Sequence, residues 1–191
     1  MIILILGLLL FLGIHCVGFF PEWRQRRVNG MGLLPWKGLY SLIALAGFVL
    51  IVLGFQRARL DPVVLYAPPA WLGHLNALFT LIAFILLAAA YVPGNRIRAR
   101  LGHPMVVAAK VWAFGHLLSI GLLHDVVLFG AFLVWAIVAF AKLRRRDRAQ
   151  GVTYAPGTLK GDVITLVVGV VAWALFAFWL HGALIGVRPF G

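Results

Sequence analysis

Six histidines stand against only five acidic residues in a chain of 191 residues, so imidazole is the side chain with most chemistry to offer. His15, His74, His103, His116 and His181 lie within or at the edges of long apolar runs, and His124 falls in a short outer turn between two of them. An ionisable side chain in hydrocarbon is costly and as a rule faces a partner or a functional site. A single neutral imidazole is satisfied by one donor and one acceptor. Several in one small bundle, with few carboxylates to pair them, point instead to ligation of a metal or of haem iron. Other constellations are missing: there is no carboxylate pair, no Ser-His-Asp set within an apolar run, no paired cysteines for zinc and no glycine-rich phosphate loop. Conventional hydrolysis and nucleotide chemistry are therefore disfavoured. Cys16, the single cysteine, rules out an internal disulfide and leaves a free thiol or a metal ligand.

The elements that must position these groups follow from composition. Hydrophobic residues make up 63% of the chain and charged residues 12%, a mix that cannot cover the surface of a water-soluble fold. The fold class expected is all-α: a polytopic integral membrane protein, a bundle of about six transmembrane helices in one domain over residues 1–191. Apolar runs long enough to cross about 30 Å of hydrocarbon cover Ile2–Phe20, Gly38–Phe55, Trp71–Val92, Met105–Leu123, Val126–Ala141 and Val163–Val187. Proline and glycine punctuate the connections, as at Pro93-Gly94 and Pro156-Gly157.

The 17 Lys and Arg would suggest nucleic acid in a soluble protein, but here they cluster between the apolar runs, where cytoplasmic loops carry them. The partner expected is the lipid bilayer, and no nucleic acid. The first connection holds Arg24, Arg26, Arg27 and Lys37, the third Arg96, Arg98 and Arg100, and the fifth Lys142, Arg144, Arg145, Arg146, Arg148 and Lys160. The second has only Arg57 and Arg59, and the fourth has neither Lys nor Arg. This alternation predicts a multi-pass protein of the bacterial cell inner membrane with both termini periplasmic. The first apolar run lacks a preceding positive region and is expected to be retained, and His15 before Cys16 argues against a lipoprotein. Trp23, Trp36, Trp71 and Tyr91 are expected as interfacial anchors. Gly182 and Gly186 match a close helix-packing spacing that chance also supplies.

Depth constrains which histidines could share one iron. At 1.5 Å per residue, His116 lies roughly 16 Å from the cytoplasmic start of its run and His15 about 7 Å from that edge. His15 with His116 thus leaves a mismatch of about 9 Å for helix tilt to absorb. His116 with His181, or His74 with His181, remain alternatives. Lys110, six residues before His116, points some 120° away and about 9 Å closer to the cytoplasm. It either snorkels to the headgroups or, with His103 and the nearby arginines, meets an anionic group such as a haem propionate.

The segment His103-Pro-Met-Val-Val-Ala-Ala-Lys110-Val-Trp112-Ala-Phe-Gly-His116-Leu-Leu resembles the signature of NnrU membrane proteins, a group related to the 15-cis-zeta-carotene isomerases of plants and cyanobacteria. The likeness extends to Leu12-Gly-Ile-His15, Ala70-Trp-Leu-Gly-His74-Leu and Phe178-Trp-Leu-His181-Gly-Ala-Leu-Ile-Gly-Val. The resemblance implies a b-type haem with its ligands on His15 and His116; Lys110 and His103 would then stand, by their position, at the cytoplasmic edge of that cofactor. It also implies a link to denitrification and nitric-oxide metabolism, or isomerisation of a cis double bond in a carotenoid-like polyene. Such a protein would be a haem-dependent cis-trans isomerase if it is an enzyme. The isomerases carry a cysteine three positions before the second histidine, where this chain has Ala113, so ligand-switching chemistry through that residue is not carried over. Many NnrU members continue with Asn-Gly-Asp where this chain reads Ser119-Ile-Gly-Leu-Leu-His-Asp125.

Two other classes compete. An isoprenylcysteine-type membrane methyltransferase also opens a span with a His-Pro-Met-like motif, but uses acidic residues further on to hold its cofactor, and Glu22 is the only glutamate here. A non-catalytic assembly partner of respiratory membrane complexes fits the composition equally well.

Overall fold

A computed structural model describes residues 1–190. In chain order the helices are α1 (Ile2–His15, continued by a 3-10 turn over Cys16–Phe19), α2 (Pro21–Met31), α3 (Leu33–Ala58), α4 (Leu72–Tyr91), α5 (Arg96–Leu101), α6 (Pro104–Ser119), α7 (Leu123–Ala149), α8 (Leu159–Leu175) and α9 (His181–Ile185). Five helical stretches are long and apolar enough to cross a membrane: Ile2–Phe19, Leu33–Ala58, Leu72–Tyr91, Leu123–Ala149 and Leu159–Ile185. The protein is an all-α, multi-pass membrane protein.

The fourth apolar run is shorter than its hydropathy predicts. α6 stops at Ser119, giving about 24 Å of helix, because Ile120 turns extended and Leu122 forms an isolated antiparallel bridge with Val64. Gly121 makes that approach possible: its carbonyl accepts from the Leu65 amide at 2.8 Å, and a Cβ on it would run into the Tyr66 carbonyl. His124 and Asp125 consequently lie in the first turn of α7 rather than in an exposed outer turn. Both are buried, with His124 Nε2 3.3 Å from Asp125 Oδ2 and the imidazole set edge-on against Phe55.

The chain divides into two compact units, the first comprising 1–67 with 121–135 and the second 68–120 with 136–191, so that α7 contributes to both. In the first unit α1 packs along α3. Lipid tails are as apolar as leucine, so helices in a bilayer associate through close packing rather than through hydrophobic transfer, and small residues permit it. Gly7, Gly47 and Gly54 serve this purpose: a Cβ on Gly7 would lie 2.5 Å from the Ile51 nitrogen, one on Gly47 2.6 Å from the Phe11 nitrogen, and one on Gly54 would overlap the Leu4 backbone. Leu4, Leu8 and Ile51 close the core with Phe11, Phe55 and Phe132 around them. Gly182 and Gly186 are not a helix-packing pair; Gly186 sits in open space at φ +76, and Gly182 faces the Arg188 side chain.

In the second unit α4 packs against both α6 and α8, and the buried positions Ala83, Ala88, Ala89, Ala108 and Ala113 are again small. Gly115 lies against Phe79, and Gly169 against Ile85. Leu78, Leu87, Val167 and Leu175 are exposed, as expected of side chains that face lipid. At one end of this unit, Asn95 is buried and fully employed, donating to the carbonyls of Ala89 and Val92 and accepting from the Arg98 amide to cap α5. Asp162 accepts from the Arg96 amide at 2.6 Å and Thr158 caps α8, which fastens the start of α8 to the Pro93-Gly94 turn.

Of the aromatics expected as anchors, Trp71 and Tyr91 are largely exposed at helix ends, and Trp23 is partly so. Trp36 differs. It is buried edge-on against Trp23, with ring centroids 5.8 Å apart, because the turn at Gly32 folds α2 back toward the start of α3.

Candidate functional site

His15 belongs to the first unit and ends α1 there. Its Nδ1 lies 2.6 Å from the Phe11 carbonyl, one helical turn back. A carbonyl oxygen only accepts, so Nδ1 carries the proton and, in the neutral ring, Nε2 carries the lone pair. Phe11, Tyr40 and Trp135 surround the imidazole, the last edge-on with centroids 6.1 Å apart. Trp135 Nε1 is buried without a hydrogen-bond partner; the Cys16 thiol is close to it but makes no bond of acceptable geometry. Beside His15 opens a pocket of about 350 Å³ that also draws Arg24, Trp36, Lys37 and Tyr40 to its walls.

His116 belongs to the second unit and is arranged in the same manner. It is buried in α6, and its Nδ1 lies 2.8 Å from the Trp112 carbonyl one turn back, so its Nε2 carries the lone pair. The small neighbour Gly115 lets α4 come close, and a Cβ there would lie 2.6 Å from Asn76 Oδ1. That Asn76 oxygen is buried and has no partner. Among the described residues, the buried side-chain polar atoms without a hydrogen-bond partner are Trp135 Nε1, whose ring faces His15, and Asn76 Oδ1, against Gly115.

The remaining sequence-predicted residues fall as follows. His181 is in the second unit, directly after a π-helical turn over Phe176–Leu180, with Nδ1 2.6 Å from the Val187 carbonyl. It is close enough to His116 for the two imidazoles to interact electrostatically. His74 is exposed at the start of α4. The Lys110 ammonium sits 3.9 Å above the Phe140 ring, a cation–π contact rather than an ion pair. Among the described residues no three His, Cys, Asp or Glu side chains gather as a metal-binding group.

His103 has partners that its sequence neighbourhood does not reveal. Its Nε2 is 2.6 Å from Asp147 Oδ2, and Tyr154 donates its hydroxyl to the same oxygen at 2.5 Å. Gly102, at φ +75, admits the tyrosine ring; a Cβ there would lie 2.7 Å from the hydroxyl. Burial, followed by the bond to the Asp147 carboxylate, pushes the Tyr154 hydroxyl above its ordinary range and keeps it a donor at neutral pH. The network fastens the segment after α7 to the start of α6.

Both imidazoles thus have Nδ1–H held by a carbonyl one helical turn back, the same tautomer at two places in the fold. The decisive comparison is with family models, where that of the NnrU protein matches residues 3–189. The chain belongs to the NnrU family. The match takes in His15, His116, His103 and Lys110 together, so the signature segment and the first helix fall within one NnrU unit of sequence. No curated protein and no solved structure matches the chain.

Proposed function

We propose that this NnrU-family protein binds one b-type haem in the bacterial inner membrane, with His15 and His116 as its axial ligands. The observation that carries the proposal is the matched setting of the two imidazoles, each with Nδ1–H held by a carbonyl one turn back so that the neutral ring presents Nε2 as its lone-pair atom. The residues suit haem: two neutral imidazoles of fixed tautomer and apolar helix surfaces around them.

Bound iron supplies a Lewis acid and a site for small ligands. The chain's own residues do the rest. The Phe11 and Trp112 carbonyls hold the imidazoles in one tautomer and orientation. The substrate class that suits a site within lipid is apolar. Either a cis double bond of a carotenoid-like polyene is isomerised, without net redox change, or nitric oxide is bound as part of denitrification. Offering the reduced, haem-loaded protein a cis-polyene in one arm and nitric oxide in another separates these two.

The cofactor itself is tested by titrating the purified protein with haemin in lipid nanodiscs and assaying the washed product as the pyridine haemochrome. One tightly held haem b per chain is the expected result. A Soret band that rises without saturation, as free haemin partitions into lipid, would remove the proposal.

A further inference from the structure

The pocket beside His15 has a charged rim that no described residue neutralises. Arg24 from α2 and Lys37 from α3 line it together with His15, Trp36, Tyr40 and Ser41, and all six belong to the first unit. None of the residues lining it is acidic, and neither cation is in an ion pair. Two cations brought to one small cavity repel each other, and near a membrane boundary their mutual repulsion is only partly screened. Such a pair is favourable when an anion sits between them. Trp36 is buried in the wall and Tyr40 contacts the imidazole edge-on, so the same cavity also presents aromatic surface. An amphiphile with an anionic end and a flat apolar body, one atom of which His15 could bind, matches all of these features.

We infer that Arg24 and Lys37 form an anion clamp for the carboxylates of the prosthetic group ligated by His15. The inference rests on the haem reading and adds the residues that hold the propionates. It places that role at the junction of α1, α2 and α3 instead of at Lys110, whose ammonium is engaged by Phe140, and His103, which is engaged by Asp147. Both clamp residues are exposed at their outer faces, so replacing them does not disturb the Leu4–Leu8–Ile51 core.

The experiment is a haemin titration of the full chain in nanodiscs of neutral phosphatidylcholine, which removes anionic lipid as a competitor. Wild type and R24Q/K37Q are compared, each with haemin and with haemin dimethyl ester, whose esterified propionates carry no charge. The double variant is expected to bind haemin at least tenfold more weakly than wild type, with the same absorption maxima for the fraction bound, and to bind the dimethyl ester as wild type does. Equal haemin affinity in the two proteins would overturn the clamp while leaving haem binding intact. An equal loss for haemin and its ester would also overturn it, since the substitutions would then act through shape rather than charge. A wild type that binds neither porphyrin saturably would overturn the haem reading itself, a result separate from the other two.

Discussion

Replacing His116 with alanine is expected to weaken haem binding by more than the roughly 10- to 100-fold that loss of an outer-shell partner costs. The side chain is buried, it carries the Nε2 lone pair, and its orientation is fixed by the Trp112 carbonyl. Alanine in its place offers iron no ligand atom at all. His74→Ala is the control, because that residue is exposed at the head of α4. Titration of both variants should give near-parental affinity for His74→Ala and little saturable binding for His116→Ala. Unaltered binding in His116→Ala would take this residue out of the site.

The second large effect concerns the helix pair that carries His15. Gly54→Val is expected to destabilise the protein by about 3 kcal/mol or more, at or above the upper end of what overpacking in a rigid core costs. A Cβ at Gly54 falls on the Leu4 and Ile3 backbone, which cannot rotate away as a side chain would. α1 would have to withdraw from α3, and the contacts of Leu4 and Leu8 would go with it. Gly13→Val on the exposed face of α1 meets nothing within 4 Å and should shift the melting temperature little. Thermal unfolding in detergent, followed by tryptophan fluorescence, distinguishes the two. A Gly54→Val protein as stable as wild type would mean that α1 and α3 do not depend on this contact.

The long helices were legible because a span of hydrocarbon demands an unbroken apolar run, and Ile2, Leu33, Leu72, Leu123 and Leu159 all open helices close to where such runs begin. The early end of α6 was not, since Ile120 and Leu122 are as apolar as any helical neighbour, and the break shows only where Leu122 meets Val64, a residue far away in sequence. The same holds for His124, which hydropathy puts in a polar turn and the Gly121 crossing puts in the interior. The small residues that matter were hidden as well. Gly7 is matched to Gly47 and Gly54 across two helices, whereas a spacing search within one helix finds Gly182 and Gly186, which pack against no other helix.

The histidines could be read directly, because an imidazole inside an apolar run is conspicuous whatever surrounds it. Their partners could not. Asp147 and Tyr154 are 44 and 51 residues from His103, in a basic stretch that looks like an ordinary loop. Lys110 finds Phe140 for the same reason: an aromatic ring on another helix gives no signal in the lysine's own neighbourhood. Arg24 and Lys37 are visible as loop charges, and only the fold brings them to the pocket of His15.

The measurement that bears most directly on the central claim is the electron paramagnetic resonance spectrum of the ferric, haem-loaded protein, recorded for wild type, His15→Ala and His181→Ala. His116 and His181 belong to the same unit, which makes His181 the competing ligand, while the resemblance favours His15. With His15 as an axial ligand, wild type and His181→Ala should give a low-spin signal and His15→Ala a high-spin one. A His15→Ala protein that keeps the low-spin signal while His181→Ala turns high-spin would contradict the assignment and move the second ligand to His181.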